Sequence, residues 1–172
     1  MKKRDQILKR LLLGGLTIFA AITVTAQNTD FTGNWALDSI TLYHGDINNP
    51  ILVPKQIKID QQKDRIILIK KSAGTNGEDV ITSETLGFDG NVFQTTNHYT
   101  NGKKTVFFSR GPTGNSFNTT TQIYNPIDST HLEYSQLDIW SINDEKLILK
   151  RKAKILNKDA EYEIDVIYQK KN

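Results

Sequence analysis

The sequence predicts an all-β protein, a single antiparallel up-and-down β-barrel of eight to ten strands. Short segments rich in Ile, Val, Thr, Phe and Tyr favour pleated sheets. Gly, Asn and Asp turn residues separate most of these segments, and no window of ten or more residues after residue 26 has helical periodicity. Short connections make neighbouring strands antiparallel, and closing them into a barrel leaves no exposed edge. A β-sandwich is the alternative architecture.

Ten strands are predicted in order along the chain. They lie near residues 34–42, 55–60, 65–72, 79–88, 91–99, 103–109, 116–124, 130–142, 146–155 and 160–169. Asp89-Gly90 and Asn101-Gly102 predict two-residue hairpin turns, because these residue types tolerate the positive φ that such turns require. The alternation of apolar and polar residues is clearest in the last strand, over residues 161–168.

Residues 1–26 predict a cleaved export signal. A basic start is followed by a mostly apolar run over residues 11–24, and Val24-Thr25-Ala26 supplies small residues before Gln27. The apolar run is shorter than the ~20 residues that a membrane-spanning helix needs. We therefore expect one domain over residues 27–172, without a transmembrane span, that works in the periplasm, on the outer surface or outside the cell.

Removing the signal changes the charge of the protein. The whole chain has 22 Lys and Arg against 19 Asp and Glu, a net charge of +3. The signal holds 5 of the basic residues and 1 of the acidic residues, so 17 and 18 remain, a net charge of −1. Charge therefore predicts no binding to nucleic acid. The chain has no cysteine, which excludes disulfides, thiol catalysis and thiolate metal sites.

Motifs for catalysis, metals and cofactors are absent from the sequence. It has no phosphate-binding loop, dinucleotide glycine pattern, HExxH or GxSxG. The histidines His44, His98 and His131 lie far apart and have no paired ligand spacing. Carboxylates at 161, 163 and 165 share one strand face, which gives either a cation or acid–base site or a solvated outer face. We predict no catalytic residue, no metal and no cofactor.

Polar residues in the middle of the chain are the strongest indication of binding. If alternation holds, hydroxyl and amide groups in segments 95–100 and 118–122 point into the barrel, where buried polar groups need partners. A hydrated cavity with a bound polar molecule supplies such partners; the alternative is that these strands form an exposed part of the sheet. The candidate ligand-binding residues are Phe93, His98, Tyr99, Phe108, Phe117 and Tyr124.

Three segments resemble a known family. Residues 31–37 (FTGNWAL), 56–68 (QIKIDQQKDRIIL) and 138–171 together are similar to small exported lipocalin-like, calycin-type β-barrel proteins of Bacteroidetes-type bacteria. The resemblance implies a barrel that holds a ligand. The resemblance also implies that Trp35, on the first strand, packs across the barrel floor against a basic residue. Arg151 is the residue to which the resemblance assigns this role, and the two residues would then close the barrel.

The leading functional hypothesis is a non-enzymatic exported barrel that binds a small apolar or amphipathic ligand in its interior. The alternative is a filled barrel that acts as a protein–protein interaction or inhibitor module in the envelope, with a partner that the sequence does not identify. That alternative predicts an outer apolar patch larger than a few hundred Å². An enzyme on a barrel scaffold is the third hypothesis, and it predicts two titratable groups that converge in the cavity.

Overall fold

The computed structural model describes residues 29–45, 53–74, 76–112 and 114–171. The predicted export signal lies outside these residues. The described chain is all-β, with ten strands and a single 3₁₀ turn at Leu156–Lys158. No helix within these residues has the length and hydropathy needed to cross a membrane.

The ten strands follow the predicted order along the chain. They are β1 (Gly33–His44), β2 (Gln56–Gln61), β3 (Arg65–Ala73), β4 (Asp79–Gly87), β5 (Phe93–Thr96), β6 (Lys103–Arg110), β7 (Ser116–Tyr124), β8 (Leu132–Asn143), β9 (Lys146–Ile155) and β10 (Ala160–Lys170). Nine agree with the predicted ranges to within two residues. The exception is β5, which is shorter than the predicted 91–99 because it pairs with β6 over Phe93–Thr96 alone.

All ten strands belong to one antiparallel sheet in the order β4-β3-β2-β1-β10-β9-β8-β7-β6-β5. Strands that are consecutive in the chain pair with each other, and β1 pairs with β10, which joins the first strand to the last. The two ends of the sheet, β4 and β5, have no ladder between them, but β4 approaches both β5 and β6. We call this junction the seam. The predicted up-and-down barrel is confirmed, and side chains close it at the seam.

The prediction of a two-residue hairpin at Asp89-Gly90 is wrong. Gly90 has a φ of 80°, as such a turn requires, but the strands on either side, β4 and β5, do not pair and the chain crosses the seam here. A two-residue connection is found instead between β8 and β9, where Asp144 and Glu145 have φ values of 48° and 60°. This pair of positive φ angles fits the right-handed twist of the flanking strands.

The second predicted two-residue hairpin, Asn101-Gly102, is also wrong, because β5 ends at Thr96 and the connection runs over residues 97–102. Asn97 organises this loop, since its Oδ1 accepts hydrogen bonds from the backbone N–H groups of Tyr99 and Thr100, both at 2.9 Å. Gly102 is needed for a close approach, because a Cβ there would overlap the carbonyl oxygen of Tyr124.

Apolar side chains fill the half of the barrel where β1 begins, and we call this cluster the floor. Its main members are Phe31, Trp35, Ile57, Ile59, Ile66, Leu68, Leu86, Val106, Phe117, Trp140, Leu147, Leu149, Val166 and Tyr168. The segment before β1 crosses this end: the Phe31 ring meets Phe117 edge-on at 4.8 Å, and Trp35 Nε1 donates to the Phe31 carbonyl at 3.1 Å. This end of the barrel is therefore packed and closed.

Candidate functional site

The candidate site is the barrel interior above the floor, towards the ends of β1 and β9 at His44 and Ile155. Strand alternation places every second residue on the inner face, and along β7, β8 and β9 the first inner-face residues above the apolar floor are polar: Thr119, Asp138 and Arg151. We call the polar residues above the floor the polar layer. It consists of Lys70, Glu84, Lys104, Thr119, Thr121, Tyr134, Gln136, Asp138, Arg151 and Tyr162.

A two-point ion pair lies in the centre of the polar layer. Arg151 donates from Nε to Asp138 Oδ1 at 2.7 Å and from Nη2 to Asp138 Oδ2 at 2.8 Å. The side chains are 5% and 1% exposed. Burial acts to lower the pKa of Arg151, but the Asp138 carboxylate outweighs this and raises it above its ordinary value. The guanidinium of Arg151 therefore keeps its charge inside the barrel.

A chain of hydrogen bonds runs from this pair towards the open end. Gln136 Nε2 donates to Asp138 Oδ2 at 2.7 Å, which leaves the amide oxygen to accept from Tyr134 Oη at 2.5 Å. Because the Tyr134 proton is used there, its oxygen accepts from the Tyr162 hydroxyl at 2.7 Å. The chain thus has one direction, and among the described residues the Tyr162 oxygen accepts from no other donor.

The hydroxyl of Tyr168 lies at the top of the floor. The side chain is fully buried, and its Oη has no hydrogen-bond partner among the described residues. Burial raises the pKa of Tyr168, with Arg151 and Asp138 as the charged groups near enough to contribute. The group is therefore a neutral donor without an acceptor in the described chain.

Glu84 is the buried acid of the seam. On β4 it is 2% exposed, and it accepts from Lys70 of β3 at 2.7 Å and from Lys104 of β6 at 2.5 Å. Burial acts to raise the pKa of Glu84, but the two ammonium groups hold it at about 2. The bond to Lys104 crosses the seam, so an ion pair joins strands that have no backbone ladder between them.

The inner wall is open to solvent on the upper part of β1. Ile40 is opposite Val166 and so lies on the inner face, yet it is 44% exposed, whereas Val166 is fully buried. β2 pairs with β1 over Gly33–Ala36, so within the described residues the upper part of β1 has a strand ladder with β10 alone. Leu42, opposite Ile164, is half-buried on the same wall.

Three of the predicted ligand-binding aromatics fill the floor. Phe117 is 2% exposed and stacks on Trp140 and on Phe108, each at 5.7 Å between ring centroids. Phe93 packs against the same cluster, opposite Val106. Phe93 and Phe108 pack against the core cluster to which Phe117 belongs, so these side chains contact other core residues.

The other three predicted residues lie at the opposite end of the barrel. Tyr99 is exposed, its hydroxyl donates to the Ala73 carbonyl at 3.4 Å, and the His98 ring meets its edge at 5.5 Å. Tyr124 is half-buried, with the Lys103 ammonium 5.3 Å above its ring. The structure therefore divides the six predicted residues between the two ends of the barrel.

Trp35 and Arg151 lie at different levels of the barrel. Trp35 is in the floor opposite Lys170, whose ammonium lies 5.7 Å from the indole centroid. Arg151 is opposite Ile164, six residues earlier on β10, or about 20 Å away along a strand that rises about 3.3 Å per residue. The cation over the indole is thus Lys170, and Arg151 serves the polar layer.

The remaining charged residues of the sequence analysis lie on the outer face. Lys152 pairs with Glu163 at 3.0 Å and Lys154 with Glu161 at 2.8 Å, along a shallow groove of about 320 Å³. In the described part of the chain, no three His, Asp and Glu side chains are grouped to hold a metal ion. These carboxylates therefore form the paired, solvated face that was one of the two interpretations of their spacing.

Sequence reasoning missed the Lys70–Glu84–Lys104 group, although alternation contained a signal. Lys70 has the same parity as buried Ile66 and Leu68, and Lys104 has the same parity as buried Val106. A charge on the buried face of a strand requires a partner. The identity of that partner depends on the closure of the barrel, which brings β4 to β6.

Comparisons with known proteins identify no family. No family model matches the chain, and no curated protein matches it. Among solved structures, the chain is similar to the zebrafish ileal bile acid-binding protein complexed with cholic acid. The identity is 16%, the TM-score is 0.46, and the alignment covers 82% of this chain and 98% of that one. The barrel assignment rests on the strand order and register described above.

Proposed function

We propose that the protein is a non-enzymatic exported barrel that binds a small amphipathic molecule in the upper half of its interior. The exposure of Ile40 on the inner face carries the proposal. An inner-face isoleucine that remains 44% exposed presents apolar surface to solvent, and burying it against a ligand is favourable. The packed floor restricts the ligand to the part of the interior above the floor.

The polar layer supports an amphipathic ligand over a purely apolar one. A ligand at the Ile40 wall has apolar contacts at Ile40 and Leu42 on one side and the layer of charges and hydroxyls beneath it. The lone pairs of the Tyr162 oxygen are available to a hydroxyl or amine of the ligand, because its proton is donated to Tyr134. A polar group on the ligand thus avoids leaving these buried groups unpaired.

Native mass spectrometry of the protein isolated from the cell that makes it tests the proposal. We expect an excess mass in stoichiometric amount that is released on denaturation and whose identification gives the ligand. The same sample locates the N-terminus, and a start at Gln27 supports cleavage of the export signal. A protein without excess mass that also fails to bind added amphiphiles contradicts the carrier function.

The outer face of the barrel favours the second candidate, an interaction module. Phe107, Thr120 and Leu137 are opposite one another on β6, β7 and β8, and Ile139 follows on β8. Phe107, Leu137 and Ile139 are 41%, 38% and 37% exposed. A protein partner would cover this row without using the interior. Substitution of Phe107 and Leu137 by Ser would then abolish partner capture and leave amphiphile binding unchanged.

A further inference from the structure

The inner face of the barrel has more positive than negative charge. Its buried or largely buried charged side chains in the described residues are Lys70, Lys104 and Arg151 against Glu84 and Asp138, an excess of one positive charge. Their side-chain exposures run from 1% to 17%. Asp138 is matched by the two-point bond to Arg151, so the excess lies at the seam, where Glu84 is shared by two lysines.

Within the described part of the chain, the two lysines have hydrogen-bonding capacity left. An ammonium group has three N–H donors, and each lysine uses one of them on Glu84. A second acceptor at this point would therefore find donors from both ammonium groups. Removing a charge from water without a matching charge is costly, so this site favours a negatively charged acceptor.

The seam is also reachable from outside. Thr95 of β5 is opposite Lys104 and therefore on the inner face, yet it is exposed. Lys104 retains 17% of its side-chain exposure and Lys70 retains 12%. Both lysines thus lie at the boundary between the polar layer and solvent. The charged end of an amphipathic molecule loses less hydration at this boundary than it would deeper in the barrel.

We propose that Lys70 and Lys104 form an anion subsite, and that the ligand of the barrel is an amphiphile with a sulfonate, sulfate, phosphate or carboxylate group. This inference rests on the proposed function. Both ammonium groups donate to the anion while they keep their bonds to Glu84, and the apolar part of the ligand lies on the Ile40 wall. Glu84 limits the affinity of the subsite because it has the same sign of charge as the ligand.

Two fluorescent probes that differ in one group test the subsite. 1-Anilinonaphthalene-8-sulfonate carries a sulfonate, and N-phenyl-1-naphthylamine is the same ring system without it. Each is titrated against the wild type, Lys104→Met, Glu84→Gln and Lys58→Met, the last being an exposed lysine on β2 that matches the charge change. We expect Lys104→Met to weaken the sulfonate probe by about ten- to a hundredfold, the range expected for a charged hydrogen bond.

The opposite substitution gives the opposite result if the subsite exists. Glu84→Gln removes the competing negative charge and is expected to raise the affinity for the sulfonate probe. The affinity of Lys58→Met for the sulfonate probe should stay within about twofold of wild type, because Lys58 lies outside the subsite. The affinity of every variant for the neutral probe should also stay within about twofold, because this probe has no charge to interact with the subsite. A structural role for the seam would instead weaken both probes in both variants. That outcome, or a sulfonate probe unaffected by Lys104→Met, overturns the subsite.

A measurement on the wild type alone covers the case in which the variants do not fold. Octyl sulfate and octyl glucoside have the same alkyl chain, and each is used to displace the bound neutral probe. Displacement at a concentration about tenfold lower for octyl sulfate supports the subsite, and equal displacement overturns it. If no probe and no detergent binds the wild type, the proposed function itself fails, which is distinct from the failure of the subsite.

Discussion

Arg151 and Asp138 form two parallel hydrogen bonds, at 2.7 and 2.8 Å, in the interior of the barrel. A guanidinium and a carboxylate match in this geometry, and the match offsets the cost of removing both charges from water. Because Asp138 also accepts from Gln136, the pair anchors the chain of hydrogen bonds that leads to Tyr162. The centre of the barrel is thus organised by charge, whereas its floor is organised by apolar packing.

Asp138→Asn removes the carboxylate that forms two hydrogen bonds with the buried Arg151 guanidinium. We expect the free energy of unfolding in urea to fall by about 3–5 kcal/mol, the usual cost of breaking a buried ion pair. Glu163→Gln breaks the exposed pair with Lys152 and is expected to cost less than about 1 kcal/mol. The double substitution Asp138→Leu with Arg151→Met should recover most of the loss. Equal costs for Asp138→Asn and Glu163→Gln would refute this account.

Glu84 makes the protein sensitive to acid. Its pKa is about 2 in the folded protein against an ordinary value of 4.5, so it contributes stability above pH 4.5 that is lost as the pH falls towards 2. The linked contribution is about 3 kcal/mol. Urea unfolding at a series of pH values should show a flatter acid limb for Glu84→Gln than for wild type. Glu163→Gln removes an exposed carboxylate as the charge-matched control, and an acid limb as steep in Glu84→Gln as in this control would contradict the prediction.

Phe117→Ala tests the floor. The ring is 2% exposed between Phe31, Phe108 and Trp140, so its removal leaves a cavity that packed neighbours cannot fill. We expect a loss of about 3–5 kcal/mol in the free energy of unfolding. Phe107→Ala, on the exposed outer face of β6, is the control and should cost less than half as much. A small loss for Phe117→Ala, together with weaker ligand binding, would instead assign Phe117 to the ligand site.

Two tyrosine hydroxyls should respond differently to removal. Tyr162→Phe deletes the donor to Tyr134 and should cost about 1 kcal/mol of unfolding free energy. Tyr168→Phe deletes a buried hydroxyl without a partner in the described residues, so it should be neutral or stabilising. Thermal and urea unfolding of both variants measure this. A clear loss of stability in Tyr168→Phe would indicate that an internal water bonds to this hydroxyl.

Ile40→Glu tests the open wall. Ile40 contributes accessible apolar surface to the inner face, so a carboxylate there should abolish binding of the neutral naphthylamine probe with little change in stability. Ser39→Glu is the control. It places a carboxylate on the outer face, one residue before Ile40, since Ser39 is opposite Ile167. This variant should bind the probe as the wild type does. Equal binding by both variants would place the ligand elsewhere.

Local pattern was sufficient to predict nine of the ten strands to within two residues. The alternation of burial along β10 has a period of two, which is visible in the order of the residues themselves over 161–168. Turn residues marked the boundaries to within a few positions. The two hairpin predictions failed at 89–90 and 101–102 because the turn type depends on whether the flanking strands pair and on what approaches the loop.

The candidate site was less accessible to sequence reasoning. Aromatic composition correctly indicated apolar interior positions such as Phe108 and Phe117, but it did not distinguish a packed floor from a ligand wall. The inner-face hydroxyls expected in segment 118–122 are Thr119 and Thr121, which are 1% and 6% exposed, whereas Thr95 and Thr96 are exposed. Whether an inner-face residue is buried or exposed depends on its position along the barrel axis. That position depends on the register of every strand pair.

The amino-acid sequence was enough to give the all-β class and the order of the strands, because these depend on neighbours a few residues apart, whereas the register shift between Leu37 and Ser39 that brings Ile40 to the inner face depends on pairing with β10. Tertiary structure alone decided that Glu84 meets Lys104 across the seam and that Arg151 pairs with Asp138 and lies far from Trp35. Such contacts depend on where the sheet closes and on the stagger between its strands, which are properties of the whole barrel that no local segment encodes.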